Sequence, residues 1–281
     1  MDPDRDDGFL LLLLSDANLP TGSFVASSGF ESHVTHAFPS DVLPFLRDSV
    51  STYARAALPF ARDAHRVLAA FLAASLSEQA ALDALETLDA LYDASTLNHV
   101  ARRASRAQGV ALLTLYSRGF TRPPALPAPS DSDSERRTQS ALVALVDRLK
   151  LRVRRENSPG HLPVCWGVLA GALGLAAERS AHLHLFLHAR GLLSAAIRMN
   201  ALGPYAAQQL LLHAVQPLVN AELARTAHLS TGVLDAQAMR DGHSEREDVF
   251  AVNERMPATT YPLGEILSAR HDMLHSRIFN S

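Results

Sequence analysis

Residues 180–200 read SAHLHLFLHARGLLSAAIRMN. Leu183, Leu185, Phe186, Leu187, Leu192, Leu193 and Ile197 fall on most sides of a helix drawn through this stretch, the pattern of a central buried helix. Just before it, Pro163 suits a first helical position, and the run to about Glu178 carries Gly167, Gly171 and Gly174. Small residues at roughly four-residue spacing let a second helix approach closely. Just after it, Pro204 starts a helix that is kinked or restarted at Pro217 and ends near Ser230. Further out, Ser77 caps a long Ala/Leu helix with Leu82, Leu85, Leu88 and Tyr92 on one face. Ser40 is expected to cap 41–57, where Leu43, Leu46, Val50, Tyr53 and Ala57 share a face. Helices are also expected from Pro59 to about Ser75, from Ser95 to Gly119 and from Glu135 to Val153. Arg102, Arg103 and Arg106 are read as a solvated face. Shorter helical pieces fall at Gly8–Ser15, near His33 and at Tyr261–Ser276.

Composition agrees. Ala and Leu supply 45 residues each against 17 Val and 3 Ile, so helix formers far outnumber strand formers. The expectation is an all-α, single-domain helical bundle of about nine or ten helices over 1–281. Residues 1–7 read as a disordered acidic lead. Residues 121–134 (TRPPALPAPSDSDS) read as a flexible insertion, because four prolines in seven residues forbid a helix or central strand; a two-domain split there is the alternative. Residues 231–260 are polar, weakly patterned and expected to be mobile.

The chain has 281 residues, 47% hydrophobic and 20% charged, which excludes global disorder. A net charge of -3 gives no electrostatic case for nucleic acid or an acidic membrane. Lys150 is the only Lys, read as the codon bias of a GC-rich genome. A single cysteine, Cys165, forbids an intrachain disulfide and suits a reducing compartment. No run approaches the roughly 18 uncharged residues of a membrane span, and the acidic start is unlike a signal peptide. The cytosol is therefore expected.

No phosphate-binding loop, HExxH or GxSxG motif is present, which disfavours a nucleotide-fuelled enzyme, a zinc protease and an α/β-hydrolase. Thirteen histidines include His184/His188 and His271/His275 four apart and His33/His36 three apart; His161 stands four before Cys165. Imidazole and thiolate suit nickel, copper or zinc, but two ligands do not make a site that wants about four, and thirteen histidines produce such pairs by chance. Asp83/Glu86 and Glu245/Glu247 read as solvated pairs. Ser28, beside Gly29, has no His/Asp partner by spacing. Cys165, beside Trp166, reads as a buried small hydrophobe. A tail bearing Arg277 and Phe279 either docks on its own core or is held for a partner. A binding or scaffold role thus outranks catalysis.

Four blocks then point to a family. LLLLSDANLPTGSFVASSGFE (11–31), GHLPVCWGVLAGALGL (160–175), LLSAAIRMNALGPYAAQQLL (192–211) and HDMLHSRIFNS (271–281) stand in the order found in UreF-type urease accessory proteins, which the chain resembles. It departs from the family's usual pattern at Phe30 (for Leu), Ala201 (for Pro), Pro204 (for Gln) and Asp272 (for Glu), and 77–155 match poorly. The resemblance implies an all-α dimer with no enzyme activity and no cofactor of its own. It implies a place between a UreD/UreH-type accessory protein and the nickel-carrying UreG-type GTPase, delivering nickel to apo-urease, whose active-site lysine is carbamylated, and a role in regulating GTP hydrolysis.

Carried onto this sequence, partner docking falls on Ser15, Asp16, Pro20, Gly22, Ser23, Phe24, Ser28 and Glu31. At the other end it falls on Arg270, His271, His275, Ser276, Arg277, Phe279 and Ser281. Dimer packing falls on Ser194, Arg198, Leu202, Gly203 and Gln208, with Arg198 either pairing across that surface or reaching water at its rim. His161 is the position for transient nickel passage, with packing at its turn as the alternative. The competing readings are a metal-dependent helical enzyme using the histidines and an unrelated helical scaffold.

Overall fold

The computed structural model describes residues 7–36, 41–123, 133–235 and 255–281, and among them every regular element is helical. In chain order these are α1 (Asp7–Leu14), α2 (Phe30–Thr35), α3 (Val42–Ala56), α4 (Leu58–Leu72), α5 (Glu78–Ser95) and α6 (His99–Leu115). They continue as α7 (Asp133–Arg154), α8 (Leu162–Ala172), α9 (Ala177–Arg198), α10 (Pro204–Leu210), α11 (Gln216–Arg225) and α12 (Pro262–Ala269). A π-helical turn, Tyr116–Phe120, extends α6, and another, Leu211–Val215, joins α10 to α11. The fold is all-α, as composition and periodicity predict.

Local chemistry sets the boundaries. Ser77 caps α5 by accepting the Ala80 N–H at 3.2 Å. Asn98 caps α6 by accepting from Val100 and Ala101, so that helix begins later than Ser95. The cap of α3 is Asp41, which accepts from Leu43 at 3.2 Å; Ser40, the expected cap, lies outside the described residues. α8 stops well short of Glu178. Gly174 takes φ +77°, and the Gly174 and Leu175 amides turn back to the Gly171 and Ala170 carbonyls, a glycine-terminated helix end. The expected restart at Pro217 is realised as the π turn directly before it, which accommodates a residue that lacks an N–H.

α8 is buried from Pro163 to Ala172. A Cβ on Gly167 would lie 2.3 Å from the Ala61 carbonyl oxygen, and one on Gly171 would lie 2.8 Å from the Leu68 side chain. The glycine stripe is thus the seam against α4. One apolar cluster joins α4, α5, α6, α7 and α8. A second joins α2, α3, α9 and the α10–α11 arm, and takes in Phe279. α9 serves both: Leu183 belongs to the first, Leu185, Leu192 and Leu193 to the second. Each such aliphatic side chain contributes about 1.5–3 kcal/mol when fully buried.

Two expectations need completing. Arg103 and Arg106 are exposed and Arg102 half-buried, as a solvated face requires, but all three also hold partners. Arg102 grips Asp93 at 3.2 and 2.7 Å, Arg103 grips Asp272, and Arg106 donates to the Pro159 carbonyl at 3.3 Å. Their partners come from other elements, which helical periodicity does not reveal. The flanks of 231–260 are also pinned. Thr231 donates its N–H and hydroxyl to buried Asp63 at 2.8 and 2.6 Å, and the Thr260 N–H donates to Thr52 at 2.8 Å. The polar centre of that segment, most of the Pro-rich insertion and most of the acidic lead lie outside the described residues. Among the described residues, no helix is long and apolar enough to cross a membrane.

Candidate functional site

The N-terminal segment around Ser28–Glu31 and the tail meet in space. Ser28 (φ +50°) and Gly29 (φ +85°) form a left-handed turn, and a Cβ on Gly29 would lie 3.0 Å from the Ser268 Cβ of α12. Glycine is favoured there by its φ, and any Cβ would crowd Ser268. The turn starts α2 with Glu31 pointing inward. Its carboxylate is 2% exposed and accepts three donors: His271 Nε2 at 2.9 Å, the Ile278 N–H at 2.5 Å and the Phe279 N–H at 3.1 Å. A buried charge is tolerable only when so satisfied.

Main-chain bonds extend this seat. The Asn280 N–H donates to the Val25 carbonyl at 2.8 Å, and the Ser27 N–H to the main-chain oxygen of Ser281 at 2.5 Å. Phe279 enters the second core cluster. The Arg198 guanidinium lies 4.2 Å from its ring centroid and also donates to the Phe24 carbonyl. Outside, Asp272 receives Arg103 at 2.8 Å on each oxygen and Arg277 at 3.1 Å. The Arg103 hydrogen bonds hold the Asp272 carboxyl well below the usual carboxylate range, with His99 adding to the effect. Arg103 also donates to the Asn280 carbonyl at 3.1 Å. It is a tail-holding residue that sequence reasoning misses, because its partner is 169 residues away.

The expected partner residues therefore divide. Glu31, His271, Phe279 and Ser281 are buried and build the seat; they do not present themselves to a partner in this conformation. Asp16, Pro20, Ser23, Phe24, Ser28, Arg270, His275, Ser276 and Arg277 are exposed, and Ser15 and Gly22 half-buried. Met273, Ile278 and Ile266 are, like Phe24, exposed apolar side chains; helical spacing does not single them out. In the central block Ser194, Arg198, Gly203 and Gln208 are exposed and Leu202 half-buried. Tyr205, 87% exposed, and Leu212 stand on the same α10 arm and were not expected there.

His161, His184 and His188 are engaged within the fold. His161 is enclosed, with Nδ1 3.1 Å from Ser105 Oγ and Nε2 2.9 Å from Asp93. Its N–H and that of Gly160 donate to buried Asp89. Both ring nitrogens lie within hydrogen-bond distance of protein groups, which is the packing at its turn that the sequence offers as the alternative. His184 and His188 do share a face of α9, but they meet Tyr53 OH at 2.9 Å and Ser49 Oγ at 3.0 Å from α3. Burial pushes them down to about 3 and about 4. They border a cavity of about 1060 Å³ whose walls include Phe24, Ser194, Gln208 and Ile266. Cys165 is buried, and burial pushes its thiol up. Among the described residues, no group of three or more His, Cys, Asp or Glu is arranged to hold a metal ion.

The UreF family model matches residues 39–215, from before α3 through the π turn that precedes α11. Urease accessory protein 6 of Cryptococcus neoformans var. grubii is 40% identical over all of this chain and 99% of its own. The uncharacterized urease accessory protein UreF-like of Schizosaccharomyces pombe is 28% identical over the full length of both. A Bacillus UreF is 25% identical over 96% of this chain and 97% of its own. The first two likenesses take in both chain ends of the seat as well as the bundle. On this fold and these matches, the chain belongs to the UreF family of urease accessory proteins.

Proposed function

We propose that the protein is a non-catalytic, dimeric adaptor of the cytosol that bridges a UreD/UreH-type accessory protein and a UreG-type GTPase, so that nickel, the cargo, reaches apo-urease. The observation that carries this reading is the seated junction of the two chain ends. Buried Glu31 spends a fold-internal charge on holding a surface together, and that surface exposes Phe24, Ile266, Met273 and Ile278 beside Arg270 and Arg277. Exposed apolar side chains on an ordered junction that also carries charge are what protein partners cover. The UreD/UreH-type partner docks there. The α9–α10 face, with Ser194, Gly203, Gln208, Tyr205 and Leu212, meets a second copy, with Arg198 at its edge. The same adaptor regulates GTP hydrolysis by the UreG-type protein it holds.

The test is co-purification of the full chain with both partner types, followed by apo-urease activation in nickel and bicarbonate. Wild type should form the complex and restore activity. Phe24→Asp and Ile278→Asp, which alter exposed side chains only, should lose both. Absence of any complex with the wild-type chain overturns the reading.

A further inference from the structure

Arg198 is the last residue of α9 and stands one turn beyond Ser194, on the same face of that helix. Its contacts are a carbonyl, that of Phe24, and a ring, that of Phe279. One belongs to the N-terminal segment and the other to the tail. Both partners are neutral, so the guanidinium is parked by a hydrogen bond and a cation–π contact. Phe24, Ser194 and Gln208 border one cavity, which puts the chain-end junction and the α9–α10 face on adjoining surface.

We propose that Arg198 couples seating of the tail to self-association. The inference rests on the dimer face of the adaptor reading. With Phe279 seated, the charge is held against the junction and the α9–α10 face is free to pack. With Phe279 withdrawn, the ring contact is gone and the long side chain can sweep over Ser194 and Gln208. A second copy would then have to desolvate an unpaired charge at the contact. A partner that stabilises the seated tail therefore favours the dimer, and by linkage the dimer favours the seated tail.

The experiment is sedimentation equilibrium of the full chain, as wild type, Arg198→Gln, Phe279→Leu and the double variant. Phe279→Leu keeps an apolar side chain in the core and removes only the ring beneath the guanidinium. Phe279→Leu should weaken dimerisation by about tenfold, the order expected for losing one such contact; Arg198→Gln, which leaves no charge to desolvate, should dimerise like wild type, and the double variant should dimerise like Arg198→Gln. In wild type, exchange of the Asn280 amide should quicken on dilution into the monomer. A wild-type chain that stays monomeric overturns the dimer reading and this inference with it. A dimeric wild type with unchanged dimerisation in Phe279→Leu, a double variant weakened as much as Phe279→Leu, or Asn280 exchange indifferent to dilution overturns the coupling alone.

Discussion

His184 and His188 stay neutral at pH 7 because burial pushes them to about 3 and about 4. Their unfolded values lie near 6.5. Between about pH 6.5 and 4 the unfolded chain therefore takes up protons that the folded chain refuses, so stability falls with falling pH, by up to about 1.4 kcal/mol per pH unit for each histidine. Urea unfolding at pH 7, 6 and 5 should show that slope. His188→Gln, whose amide can still reach Ser49, should remove close to one proton's worth of it; an unaltered slope would show that His188 is not the group refusing the proton. Asp272 acts with the same sign in a lower pH window. Its folded value is depressed by Arg103, so its contribution is present above about pH 3.9 and is lost as pH falls through the folded value. Arg103→Gln should return the Asp272 carboxyl toward the ordinary range in an NMR titration. Spacing in the sequence located the His184/His188 face correctly. It could not show that Tyr53 and Ser49 of α3 stand opposite, because that pairing spans more than 130 residues.

Helices α4 and α8 pack backbone to backbone, and two glycines of α8 allow it. Gly167→Ala would drive a methyl to 2.3 Å from the Ala61 carbonyl oxygen and 2.8 Å from the Ala64 Cβ, so the helices must part. The expected cost is about 1–3 kcal/mol, the usual range for overpacking. Gly191 of α9 is the contrast, since a Cβ there meets nothing within 4 Å. Gly191→Ala should stabilise by roughly 0.5–1 kcal/mol through helix propensity alone. Denaturant midpoints of the two variants should move in opposite directions; movement the same way would show that the seam is not tight. Elements were the most legible level of the sequence. The glycine stripe, the Ser77 cap and the apolar run of α9 each act locally, so each leaves a local pattern. Helix ends were less legible where a neighbour residue could serve as well: Asp41 caps where Ser40 was expected, and Gly174 stops a helix in which it was read as a packing position. The arginines of α6 read correctly as a solvated face, but their partners are not legible, since these lie on α5, the turn before α8 and the tail.

The two chain ends of this molecule are joined by one carboxylate, and that join makes a separable claim about the whole fold. Glu31 accepts from His271 and from two successive tail amides, whereas a glutamine offers a single acceptor oxygen and turns an NH2 toward at least one N–H. Glu31→Gln should therefore cost about 1–3 kcal/mol, the penalty for a buried polar group left unsatisfied. That loss is spent locally. The tail contributes Phe279 to the cluster of α2, α3 and α9, but nothing to the cluster of α4, α5, α6, α7 and α8. Hydrogen exchange should thus quicken at the Ile278, Phe279 and Asn280 amides while α8 keeps its protection, as expected when a structure opens in units of different stability. Activation of apo-urease by the variant with its partners should fall as well, although Glu31 is buried and touches no partner in the seated state. The exposed residues of the junction would still be present, but no longer held as one surface. Tail amides as protected as in wild type would show that the main-chain bonds from Val25 and Ser27 suffice to seat the tail, and Glu31 would lose its organising role.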